Sequence, residues 1–324
     1  MKITRKQIQR FGILVGSLLL LFQFYQAALA FKDNTAEIHL PGLVLLALIF
    51  LSYSIFQQII AWVLIMTSMG IQLPIGRALQ NYMLSFLPRY IPGSVWGYIS
   101  RAEWLLEDYK ISYMTTNLGS VLEVGGLLTA NILMIGLYAS LRIDGIIQIA
   151  LLISLVLLPP AGCILLRKIG RIRIITRYVF KNQTAKQLEN LNIWGWCGSI
   201  LLITLNWFLY GAACMSIASS LGLRQGAFTL QDWLSYSTLF SVAWLAGFLV
   251  IFIPSGLGLR EVVLSNLLVT NFNISTNQAS ALSVLMRLAI VLAEILWIVF
   301  GIMAKLRKKT DAILDQENNT PMIR

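Results

Sequence analysis

Histidine is almost missing from this chain: His39 is the only one in 324 residues. Cysteine is nearly as scarce. Cys163, Cys197 and Cys214 all lie in or beside apolar segments, and their spacing fits neither a metal motif nor a disulfide framework. These shortages argue against a zinc site and against His-based catalysis, and no metal or cofactor is expected. Charge is the third scarcity. Asp, Glu, Lys and Arg make up 12% of the residues, about half the ~25% typical of a soluble domain. Short alternating strands are also lacking, which argues against a membrane β-barrel.

What is present is hydrocarbon-like. The chain is 57% hydrophobic, and several apolar runs reach the roughly 20 residues that a spanning helix needs. The expectation is an all-α polytopic membrane protein with about six spanning helices and two re-entrant helical hairpins. The spans fall at residues 11–31, 41–66, 112–139, 146–166, 194–219 and 280–304, with residues 11–31 read as an uncleaved first helix rather than a signal peptide. The hairpins fall at residues 79–99 and 233–271, where proline and glycine interrupt apolar sequence.

The net charge is +11. On a soluble protein this would suggest nucleic acid; here it is read as basic loops on the cytoplasmic side, so no nucleic-acid partner is expected. Residues 1–10 form a basic cytoplasmic N-terminus and residues 11–304 a single transmembrane domain. A basic cytoplasmic loop at 167–190 joins its halves, about 41–139 and 194–304. Residues 305–324 form a cytoplasmic tail, expected to be disordered. Both termini then lie on the cytoplasmic face of the inner (plasma) membrane. The parity of crossings supports two hairpins that each return to their own side, or two equivalent pairs of passes. Each half reads helix, hairpin, helix, entering from opposite faces, which is the plan of an inverted repeat.

Charges inside apolar segments are costly and mark polar cavities or internal pairs. The first interruption, IPGSVWGYISR, supplies Pro92, Gly93, Gly97 and Arg101. The second, IPSGLGLRE, supplies Pro254, Gly256, Gly258, Arg260 and Glu261. A half-helix starting after such a break points backbone N–H groups inward and favours an anion. With Glu123 and Arg287 in neighbouring helices, the candidate headgroup-binding residues are Arg101, Glu123, Arg260, Glu261 and Arg287. Arg89, Glu103 and Glu294 are secondary candidates. The plainer alternative is that these charges pair with each other and only hold the bundle together. Aromatic residues near segment ends, such as Trp62, Trp104, Trp194 and Trp233, are read as interfacial anchors.

At the two interruptions the chain resembles the lysylphosphatidylglycerol synthase transmembrane-region family, the flippase-like membrane domain of the multiple peptide resistance factor, which also occurs as stand-alone proteins. Pro92, Gly93, Gly97 and Arg101 look like the family's first element. Pro254, Gly256, Gly258 and Glu261 match its Pro-x-Gly-x-Gly-x-x-Glu element. Glu123 and Arg287 resemble its intervening acid and its last-helix arginine. Ser255 departs from the pattern where glycine is frequent, and Val124 where arginine is. No soluble aminoacyl-transferase domain is expected after the last helix, so lipid aminoacylation is not implied. The resemblance implies a lipid as partner and a non-enzymatic role: binding and flipping an anionic phospholipid or a polyprenyl-linked lipid. The alternative is a non-transporting accessory protein of a membrane glycosyltransferase or lipid synthase.

Overall fold

The computed structural model describes residues 18, 21–22, 24–29, 32–33, 38–90, 96–172, 182–223, 229–250 and 253–318. All regular structure among them is helical. The first expected span and the basic N-terminus lie largely or wholly outside the described residues, as do Pro92 and Gly93; the side chains of Arg89 and Pro254 are not described.

Ten α-helices bounded within the described residues are numbered in order: α1 (Pro41–Ser68), α2 (Ile75–Leu84), α3 (Trp96–Tyr109), α4 (Tyr113–Ser140), α5 (Ile146–Arg171), α6 (Asn182–Glu189), α7 (Ile193–Ser220), α8 (Leu230–Leu249), α9 (Leu259–Phe272) and α10 (Thr276–Asn318). One 3₁₀ turn, Leu87–Tyr90, lies between α2 and α3, and another, Pro254–Gly256, between α8 and α9. Among the described residues five helices are long and apolar enough to cross a membrane: α1, α4, α5, α7 and residues 276–306 of α10. The chain is an all-α membrane protein. α2, α3 and α9 have 10, 14 and 14 residues, so they reach only about 15–21 Å, short of a ~30 Å hydrocarbon core.

Local chemistry sets the helix ends. Pro41 opens α1, where its missing N–H costs nothing. Ser112 caps α4 by accepting from Thr115 N, and Asn192 caps α7 by accepting from Trp194 N and Gly195 N. Two ends run further than the sequence suggested. α5 continues through Arg171 despite Pro159 and Pro160; α5 is peripheral, with only 6% of its most apolar window buried. The tail expected to be disordered from 305 is instead helical to Asn318, because residues 305–318 hold neither proline nor glycine and are rich in helix formers.

α1 and α7 make the most extensive helix–helix contact in the bundle, and they run antiparallel. His39 N donates to Ser220 O at the far end of α7, and Asn192 N donates to Ser68 O at the far end of α1, both at 2.8 Å. The two helix ends also match each other. Gly70 and Gly222 adopt left-handed φ of +82° and +67°. Ile71 N donates to Met66 O and Leu223 N to Ala218 O, each at 3.0 Å. These are two C-terminal closures of the same kind, requiring glycine at the left-handed position. Ser68-Met-Gly70 and Ser220-Leu-Gly222 carry them at one offset, 152 residues.

Other contacts recur in pairs. α4 packs on α7 and α8; α10 packs on α1 and α2. α3 packs on α4 as α9 packs on α10, and the two 3₁₀ turns touch each other. Behind the second turn, Gly256 approaches Gly247 of α8 so closely that a Cβ on Gly256 would lie 2.8 Å from the Gly247 Cα.

Candidate functional site

The two broken segments meet beside a cavity of about 640 Å³. Arg101, Glu123, Arg260, Arg287 and Glu294 all line it, together with Gly97 and Gly256. Residues singled out from two distant parts of the chain therefore converge on one space. Glu261 stands just behind the wall, in the first turn of α9, and reaches the cavity through Arg287. Glu103 does not join the group: it is exposed on α3, because Arg101 occupies the buried face and residues two apart on a helix do not share a face.

The first-half charges form a tight unit. Arg101 Nη1 donates to Glu123 Oε2 at 2.8 Å, and the two side chains are 1% and 2% exposed. Glu123 Oε1 also accepts from the Tyr82 hydroxyl at 2.5 Å and from Gln58 Nε2 at 3.1 Å. The Arg101 guanidinium lies 4.9, 4.3 and 5.2 Å from the ring centres of Trp62, Tyr82 and Tyr98. A buried pair is tolerated when its remaining polar atoms find partners and aromatic faces receive the cation. Arg101 is one of the largest fully buried side chains.

The second-half charges are looser. Arg287 Nε lies 3.5 Å from Glu261 Oε1. Arg287 Nη2 and Glu261 Oε2 are buried without hydrogen-bond partners among the described residues, and so is Arg260 Nε. Arg260 forms no ion pair among the described residues; its guanidinium lies 5.9 Å from the Trp244 ring centre. α9 begins at this wall, with Gly258 at φ +77° as a cap that contributes no side chain. Ser255 sits at φ +53° in the left-handed region, the position where the resembling pattern favours glycine.

Several wall residues escaped the sequence reading. Gln58 and Asn206 join across α1 and α7, with Asn206 Nδ2 3.4 Å from Gln58 Oε1. Trp207, Tyr210, Trp244 and Phe248 form an aromatic side of the cavity. The two amides could have been found by the argument used for charges, since each interrupts an apolar run. The aromatics carried no such signal. Asn117 and Val121 on α4 and Leu249 at the end of α8 are wall residues that are also exposed, so the cavity reaches the bundle surface between these two helices.

A search of curated protein sequences returns no match. The family model described as lysylphosphatidylglycerol synthase TM region matches residues 9–297, which include both interruptions and every cavity-lining residue. This chain belongs to that family of membrane proteins concerned with lipid handling.

Proposed function

We propose that the protein binds an anionic lipid headgroup in the cavity and carries it across the bilayer, without catalysing a chemical change. The observation that carries this reading is Arg260: a cation on the wall of an internal cavity, with no carboxylate partner among the described residues. With Glu261 and Glu294 acting on it only from beyond ion-pair distance, a charge in such a place is expensive and is relieved by an anionic ligand. Arg287, with one donor unmatched, is the second contact. Arg101 and Glu123 are the fixed floor, because they pair closely at 2.8 Å, with only Arg101 Nε left without a partner among the described residues. Glu261 orients Arg287.

The lateral opening supports a lipid over a water-soluble anion. Val121 and Leu249 are 65% and 64% exposed, and at bilayer depth such residues face acyl chains. The headgroup enters between α4 and α8 while the tail stays in the membrane. The halves form an inverted repeat, α1–α4 against α7–α10, and small shifts of one against the other expose the cavity to each side in turn. The antiparallel α1 and α7 and the paired contacts support this arrangement. The protein resides in the cell membrane with both termini in the cytoplasm.

The test is reconstitution in vesicles with fluorescent phosphatidylglycerol and a labelled short-chain polyprenyl phosphate. At least one lipid should cross faster than in protein-free vesicles, and Arg260→Gln should slow it about tenfold or more, the scale of one charge-assisted contact, without lowering thermal stability. Movement no faster than in protein-free vesicles for both lipids would sink the reading.

A further inference from the structure

The cationic end of the cavity is only part of it. Its other side, from α7 and α8, is aromatic and amide-lined. Trp244 and Phe248 stack with ring centres 5.1 Å apart and planes within 7°. Trp207 meets Trp244 edge-on at 5.3 Å. Between this wall and Glu123 run the amides of Gln58 and Asn206. Asn206 and Trp207 are 5% and 2% exposed, yet Asn206 Oδ1 and Trp207 Nε1 have no hydrogen-bond partner among the described residues.

A bare phosphate uses none of this. It would occupy the arginines and leave most of about 640 Å³ unfilled, a volume in the range that holds a drug-sized molecule, roughly 300–1,000 Å³. The wall calls for a group with one apolar face and an edge of hydroxyls. A hexose-type ring meets that description. Its C–H face packs on an aromatic ring, and its hydroxyls both donate and accept, as side-chain amides such as those of Gln58 and Asn206 on the cavity wall require. Arg260 lies 5.9 Å from the Trp244 ring centre, so a phosphate on the arginine leaves its substituent beside that ring.

Resting on the lipid-binding reading above, we infer that the headgroup is a six-membered polyol ring joined to its lipid through a phosphodiester: the phosphate binds Arg260 and Arg287, and the ring packs on the Trp244 and Phe248 wall. This chemistry has two sources, a glycerolipid and a polyprenyl lipid.

The full-length protein is titrated with four lipids and followed by native mass spectrometry. Phosphatidylinositol and farnesyl phosphoglucose carry the ring; phosphatidylglycerol and farnesyl phosphate lack it. In one or both families the ring-bearing lipid should bind about tenfold more tightly than its ring-free partner, the scale of one aromatic platform. The family that shows the preference names the lipid source. Trp244→Ala should abolish the preference while leaving the ring-free lipids bound, and Trp244→Phe should keep it. Should Trp244→Ala fail to fold, Phe248→Leu serves in its place. Equal binding within both families, or a Trp244→Ala loss common to all four lipids, overturns the ring assignment and leaves the anion site standing. If none of the four binds, or Arg260→Gln weakens none, the lipid-headgroup reading itself fails.

Discussion

The two halves carry the same buried ion pair with its polarity reversed. In the first, the arginine sits on the short helix and the glutamate on the long one, as Arg101 on α3 and Glu123 on α4. In the second, Glu261 is on short α9 and Arg287 on long α10. The first pair is closed at 2.8 Å, with a tyrosine, a glutamine and three aromatic rings completing it. The second is open at 3.5 Å and flanked by an additional arginine; a buried nitrogen without a partner among the described residues remains in both, at Arg101 Nε as well as at Arg287 Nη2. One architecture thus serves two ends. A closed pair fixes helix positions; an open one holds charge in reserve for a ligand.

The contrast breaks most sharply at Glu123. Glu123→Gln strands Arg101 among aromatic rings at 1% exposure, and the expected loss is about 3–5 kcal/mol of unfolding free energy, measured in bicelles. A loss below that of Arg287→Gln would reverse the roles assigned to the two pairs. Arg287→Gln itself should cost only about 1–2 kcal/mol, because its contact with Glu261 is long, at 3.5 Å, and a glutamine amide can still donate to that carboxylate, while retention of co-purified lipid falls severalfold.

Glycine contacts behind the open pair come next. Gly256→Ala should cost about 2 kcal/mol, since the new Cβ meets the Gly247 Cα at 2.8 Å and the residue holds φ +64°. Gly247→Ala, where the nearest atom is 3.3 Å away, should cost about half as much in the same unfolding assay. The smallest effect is a gain. Ser255→Gly relieves a left-handed residue at φ +53° and should add about 0.5 kcal/mol, the relief exceeding the extra freedom of the unfolded chain. Destabilisation on Ser255→Gly would mean that the serine side chain makes a stabilising contact of its own.

The charged part of the site was legible because physics makes it conspicuous: a charge within an apolar run needs a reason wherever it lies. Arg101, Glu123, Arg260, Arg287 and Glu294 stood out on that ground and reached one cavity. Glu103 stood out too, but the outer face of α3 was available to it. Trp244 and Phe248 stayed hidden, because an aromatic residue is equally at home against lipid, against another helix and against a ligand. The 152-residue correspondence was hidden for a related reason. Membrane helices need apolar residues of almost any kind, so scattered apolar matches carry no signal, and only the glycine at each helix end answers a backbone demand. The helical extensions of α5 and α10 were obscured because basic residues were read as loop, although Lys and Arg are good helix formers.

The antiparallel contact of α1 with α7 also bears on how the protein is made. Gln57 donates to Leu202 O, 145 residues later in the chain, and Gln58 pairs with Asn206 further on still. A ribosome adding about 5–20 residues per second needs roughly 7–30 s to cover that stretch. For that interval α1 has emerged while its main partner has not been translated. Two glutamine side chains in the middle of a nascent apolar helix must therefore be sheltered by the insertion machinery, or by water at its mouth, until the second half arrives.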